Sequence, residues 1–184
     1  FTGFFNDTEM MTTNSAYWRS DFARCSIRCP GGTDLRNNAK AAFGSAATSF
    51  WFSARVYTDV SSSLAPEFRT FLTFMDGVNN RLGFQVDNQR RIRLVKFEDG
   101  VTVSVLATSP GVAIQNTNLH KLDINIVYGV SGSVRVFFDQ TQAFQYTGNI
   151  TAGGSSSLNG FTISSINNGS TYATYWSEMI AMSR

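Results

Sequence analysis

The sequence predicts an all-β protein folded as an antiparallel two-sheet jelly-roll sandwich, and three observations carry that reading. About ten to twelve short runs alternate apolar and polar residues with a period of two, as strands with one buried face do. Between them lie clusters of Gly, Asn, Asp and Ser, residues that turn a chain. No stretch shows the 3.6-residue period of an amphipathic helix. A chain of 184 residues, 42% hydrophobic and 14% aromatic, fits one such domain, and its sixteen Phe residues suit the flat layer between two packed sheets. Residues 1–184 are read as one domain, with 1–47 as N-terminal edge strands and loops and 48–184 as the core sandwich.

Along the chain, residues 1–5 read as an edge strand, followed by an irregular segment around Tyr17 and Trp18. Ala23, Cys25 and Ile27 alternate with Arg24, Ser26 and Arg28, which predicts a strand. Residues 30–47 are small and turn-rich, and a loop with one helical turn is expected there. In residues 48–58, Phe50, Phe52, Ala54 and Val56 share one face, with Trp51, Ser53, Arg55 and Tyr57 opposite. Ser61, Ser62, Ser63 and Pro66 mark a surface loop. A strand over 68–75 ends at Asp76-Gly77, and Leu82, Phe84 and Val86 alternate through the next. Residues 91–107 form a hairpin about Asp99-Gly100, one of the strongest short-range hairpin signals.

Residues 119–148 predict a three-stranded meander. Leu122, Ile124, Ile126 and Tyr128 alternate with Asp123, Asn125 and Val127, and the run from Gly129 to Ser133 supplies a turn. Val134, Val136 and Phe138 then share a face opposite Arg135, Phe137 and Asp139, and residues 139–142 turn the chain into a third strand. A Gly/Ser loop at 151–158 leads to two last strands, 161–166 and 172–182.

Composition excludes several classes. A formal net charge of +2 gives no bulk attraction for nucleic acid or membrane, and no apolar run approaches the ~18 residues of a spanning helix. The chain opens at Phe1 without an initiator Met, so it is expected to be processed or part of a longer product. Cys25 and Cys29 lie about 13 Å apart if their segment is a strand, too far to bridge, whereas a turn at residues 28–30 permits a disulfide. Both states stay open. Asn-x-Ser/Thr motifs occur at Asn6, Asn149 and Asn168.

Four pieces in order resemble a laminin G-like domain of the concanavalin A-like lectin/glucanase superfamily. FWFSARVY resembles an early core strand, and residues 82–107 resemble the central hairpins. HKLDINIVYGVSGSVRVFFDQ resembles the strand, Gly turn and strand ending in Asp, with Gln140 where Gly is usual. YWSEMIAMSR resembles the closing strand, Glu178 being its acidic residue. The resemblance implies a concanavalin A-like jelly roll. Members of that superfamily include glycan-binding modules, matrix and adhesion modules, hydrolases and parts of phage virions, and fold does not choose among them.

Hydrolases of the superfamily carry Glu-x-Asp-x-x-Glu on one strand, which places an acid and a nucleophile or base together. The four glutamates here, Glu9, Glu67, Glu98 and Glu178, have no such spacing. His120 is the only histidine, and Asp123 falls on the opposite face of a strand, so His120 reads as a strand-entry residue. No catalytic residue is assigned. Some laminin G-like modules bind calcium, and Asp76 with Asn79 and Asn80 is the local candidate, since calcium takes several oxygens. Arg81, Arg90, Arg91, Arg93 and Lys96 cluster, with Arg91 and Arg93 on one strand face suited to sulfate or carboxylate. Trp18, Trp51, Tyr57, Phe137, Phe144 and Tyr175 fall out of phase with the core faces or in irregular segments, and exposed aromatics stack on sugars or anchor protein contacts.

The expected function is therefore a non-enzymatic structural or interaction module on a virion surface or extracellular assembly, held by protein partners. The alternative is a glycan-binding, lectin-like module, with calcium as its one cofactor candidate, using Trp51, Tyr57, Arg91, Arg93 and Tyr175. A glycoside hydrolase is a distant third. No nucleic-acid partner and no membrane insertion are expected.

Overall fold

A computed structural model of the chain describes residues 18–19, 26–30, 38–58, 69–87, 89–100, 103–111, 114, 118–164 and 173–183. The expected strand over 1–5, the residues 23–25, the loop at 61–66 and the motifs at Asn6 and Asn168 lie outside them, as does the pairing of Cys25 with Cys29. Among the described residues no helix is long and apolar enough to cross a membrane.

Thirteen strands are described: β1 (Trp18–Arg19), β2 (Ser26–Pro30), β3 (Asn38–Ala47), β4 (Ser49–Thr58), β5 (Arg69–Asp76), β6 (Asn79–Val86), β7 (Ile92–Phe97), β8 (Val103–Thr108), β9 (Leu119–Val127), β10 (Gly132–Phe138), β11 (Thr141–Gly148), β12 (Leu158–Ser164) and β13 (Ala173–Ser183). They form two antiparallel sheets, ordered β1-β2-β13-β4-β9-β10-β11 and β3-β12-β5-β6-β7-β8. The expected meander is β9, β10 and β11, adjacent in both chain and sheet. The last two strands insert between early ones, β12 between β3 and β5, β13 between β2 and β4, and so join early and late parts of the chain within each sheet.

The inner faces are those the alternation predicts. Phe50, Phe52, Ala54 and Val56 of β4, Leu122, Ile124 and Ile126 of β9, and Val134, Val136 and Phe138 of β10 meet Leu72, Phe74, Leu82, Phe84, Leu94, Phe161 and Ile163 of the other sheet. Phe52 stands edge-on to Phe161 at 5.1 Å and to Phe74 at 5.9 Å between ring centroids, the edge-to-face geometry aromatic quadrupoles prefer. Each such side chain withdrawn from water contributes roughly 1.5–3 kcal/mol.

Two expectations change. The segment expected as loop and helical turn contains β3, ten residues at the edge of the six-stranded sheet. Its Ala, Gly and Ser residues carry little strand propensity, and its strand form comes with its pairing to β12, which approaches closely at Gly160: a Cβ there would lie 2.6 Å from the carbonyl oxygen of Ala41. Phe144, read as an outward aromatic, is in the core. Val136 faces Phe144 whereas Phe137 faces Gln142, so Ala143 is an extra residue, and this bulge reverses the phase of β11.

Candidate functional site

The outer face of the seven-stranded sheet gathers most of the residues that fit a ligand-binding role, in rows set by strand register. One row runs Met182, Trp51, Asn125, Arg135 and Gln145 across β13, β4, β9, β10 and β11. The next runs Ile180, Ser53, Asp123, Phe137 and Gln142. Further along, Arg55 stands opposite Ser177 and Lys121, and Tyr57 opposite Tyr175. Each belongs here for the reason its neighbours belong to the core: successive side chains of a strand alternate between faces.

Around Asn125 and Arg135 the face forms a groove of about 270 Å³, lined also by Ser49, Val127, Ser133 and Phe137. Trp51 stands one strand from Asn125 and two from Arg135, which puts Trp51 and Arg135 about 10 Å apart. An indole and a phenyl ring half-exposed beside amides, a hydroxyl and a guanidinium supply stacking and hydrogen bonding together.

The charges on this face are mostly matched. Glu178 takes Arg55 at 3.0 Å, from a left-handed position (φ 51°) inside a bulge of β13. Lys121 reaches Oδ2 of Asp123 at 3.4 Å, while the buried Oδ1 of Asp123 has no hydrogen-bond partner. Arg135 is exposed and has no ion-pair partner among the described residues.

Of the residues singled out in the sequence, Trp51, Tyr57 and Tyr175 lie on this face. Tyr175 is buried, its ring 6.0 Å from that of Tyr57, so the pair braces one end of the face. Arg91 and Arg93 sit on the other sheet and do not join them. Arg91 gives its Nε to Oδ2 of the buried Asp87 at 2.7 Å and its backbone amide to Oδ1 at 2.8 Å, closing the β6–β7 turn. Nε of Arg93 donates to Gln85 at 2.6 Å, and Gln85 in turn donates to Thr70. Burial lowers the pKa of Arg93, against the pull of Asp87.

The expected calcium ligands do not converge. Asp76 and Asn79 face each other across a two-residue turn that Gly77 opens at φ 60°, and Asn80 pairs with Met75 in the next position, where a strand sends its side chain to the other face. The cation beside Asp76 is Arg81, at 4.0 Å. Arg81 is the extra residue of a bulge between the pairs Asn80–Met75 and Leu82–Phe74, and its guanidinium is buried with Nε unpartnered. Among the described residues no three His, Cys, Asp or Glu side chains group to hold a metal.

His120 stands second in β9, buried and turned to Asp139. Asn125, Ser133 and Arg135 were not singled out from sequence. Their alternation places them on the outer face, but only pairing with β4 brings them beside Trp51.

No protein-family model matches the chain, and no curated protein matches it. Solved structures do. The alginate lyase Aly36B is similar at a TM-score of 0.64 and 10% identity, over 94% of this chain and 85% of that one. The carbohydrate-binding module CBM66 of Bacillus subtilis is similar at 0.56 and 14%, over 90% and 91%. The binding domain of botulinum neurotoxin DC, solved with SialylT, is similar at 0.61 and 9%, over 85% of this chain and 39% of that one. At these identities the likeness shows the fold, a jelly-roll sandwich shared with carbohydrate-binding and lyase domains.

Proposed function

We propose that the protein is a carbohydrate-binding module of the laminin G-like kind, working outside the cell without chemistry of its own, and that its ligand lies across the outer face of the seven-stranded sheet. The observation that carries this is the groove with its Asn125, Arg135 and Phe137 side chains and Trp51 one strand away in the same row, since sugars are held by aromatic stacking plus planar hydrogen-bonding groups. The named carbohydrate-binding module and the toxin domain solved with a glycan support it by their likeness. The groove lining holds no carboxylate or imidazole to move a proton, which favours binding over catalysis.

A second reading, an interaction module within a virion or extracellular assembly, draws on one feature of the same face. Val127, Ile180 and Met182 are 49%, 41% and 45% exposed, an apolar fringe suited to a protein partner.

A glycan-array screen with titration calorimetry of the hits tests the first reading. Selective binding is expected, weakened at least tenfold by Trp51→Ala and unaffected by chelator. A blank array overturns it. Light scattering then bears on the second: self-association lost in Ile180→Ser/Met182→Ser supports a protein contact.

A further inference from the structure

The groove carries a charge pattern that selects among glycans. Of the described cations on the outer face, Arg55 is held by Glu178 and Lys121 by Asp123. Arg135 is left over, inside the groove, with neutral neighbours: Asn125 and Gln145 across the strands, Ser133 and Phe137 along its own. A guanidinium presents two parallel donors that match a carboxylate. One row away stands the carboxylate of Asp123, opposite Phe137 and diagonal to Arg135. That carboxylate is paired with Lys121 and its Oδ1 is buried, so Arg135 is the charge on this part of the face that is left for a ligand.

The geometry points to a ligand class: glycans whose sugars carry carboxylates, uronic or sialic acid residues, with Arg135 binding the carboxylate. The inference rests on the glycan-binding reading above.

The experiment is a binding panel of uronate polymers and sialylated oligosaccharides, each beside its carboxyl-reduced or desialylated counterpart. The expected result is binding of at least one acidic member, weaker by about tenfold to a hundredfold for its neutral counterpart and for Arg135→Gln, and partly retained in Arg135→Lys. Melting curves of the Arg135 variants, whose altered side chain is exposed, confirm the folded state. Equal binding of acidic and neutral counterparts, or binding indifferent to Arg135→Gln, overturns the carboxylate assignment and leaves the glycan reading standing. Binding to no member of the panel overturns both.

Discussion

Nδ1 of His120 lies 2.7 Å from Oδ2 of Asp139, joining the start of β9 to the β10–β11 turn. The same carboxylate takes the Lys121 amide at 2.8 Å, and the Asp139 amide returns to the Lys121 carbonyl at 2.9 Å. Burial raises the Asp139 pKa, but the Lys121 amide and the His120 ring outweigh it and hold the carboxyl below its ordinary value. An ionised carboxylate only accepts, so Nδ1 carries the proton.

A depressed carboxyl stabilises the fold fully above its unfolded pKa of roughly 4 and loses that contribution as pH falls through the lower folded value. Unfolding followed by circular dichroism is therefore expected to show acid destabilisation below about pH 4 that Asp139→Asn reduces. Because Asp139 is half exposed, the gain is a few tenths to about 1 kcal/mol. An identical acid limb in the variant would remove Asp139 from the account.

Asp139 and Gln140 both sit in the left-handed region, at φ 48° and 68°, in the two-residue turn between Phe138 and Thr141. Such primed turns match the twist of a hairpin, yet a side chain at Gln140 carries strain of about 1–2 kcal/mol that glycine lacks. Glycine's extra freedom in the unfolded chain returns part of that. Gln140→Gly is expected to stabilise by about 0.5–1 kcal/mol, seen as a Tm rise of a few degrees, and Gln140→Val to destabilise. A lower Tm for the glycine variant would contradict the strain argument.

That turn marks where the sequence stops being legible. Alternation in 48–58, 119–127 and 132–138 gives strand, face and core partner, because each such strand has one buried and one more open side. Bulges break the rule without a local signal: the extra residues at Arg81 and Ala143 move Phe144 inward and bury a guanidinium. β3 reads as loop because its strand character comes from the close approach of Gly160, a contact made across more than a hundred residues of chain. The site is legible only in halves. Trp51 stands out by composition, whereas Arg135 gains meaning from the pairing order β4-β9-β10, which no local pattern encodes.

Gly160 tests the β3 contact directly. A methyl there would lie 2.6 Å from a backbone oxygen of the neighbouring strand, which moves only by parting the β3–β12 pair. Gly160→Ala is expected to cost about 1–3 kcal/mol by chemical denaturation. Gly111→Ala, with open space around the added carbon, is expected within about 0.5 kcal/mol of the parent. Equal effects from the two would mean β3 does not pack so closely.

Asp87 and Arg91 separate structure from binding on the opposite sheet. Asp87, with its side chain 2% exposed, accepts the amides of Gln89 and Arg91 and the Nε of Arg91. Removing the carboxylate strands these donors, so Asp87→Ala is expected to destabilise by about 3 kcal/mol. Arg91→Gln leaves the charge with two amide partners, and its cost is expected nearer 1–2 kcal/mol. In a double-mutant cycle the pair is expected to couple by about 1 kcal/mol or more, since each acts through the other. Glycan affinity of the folded Arg91→Gln protein is expected to equal the parent's, because Arg91 belongs to the six-stranded side and the groove to the seven-stranded side. Affinity lost in Arg91→Gln but kept in Trp51→Ala would move the binding face to the other sheet.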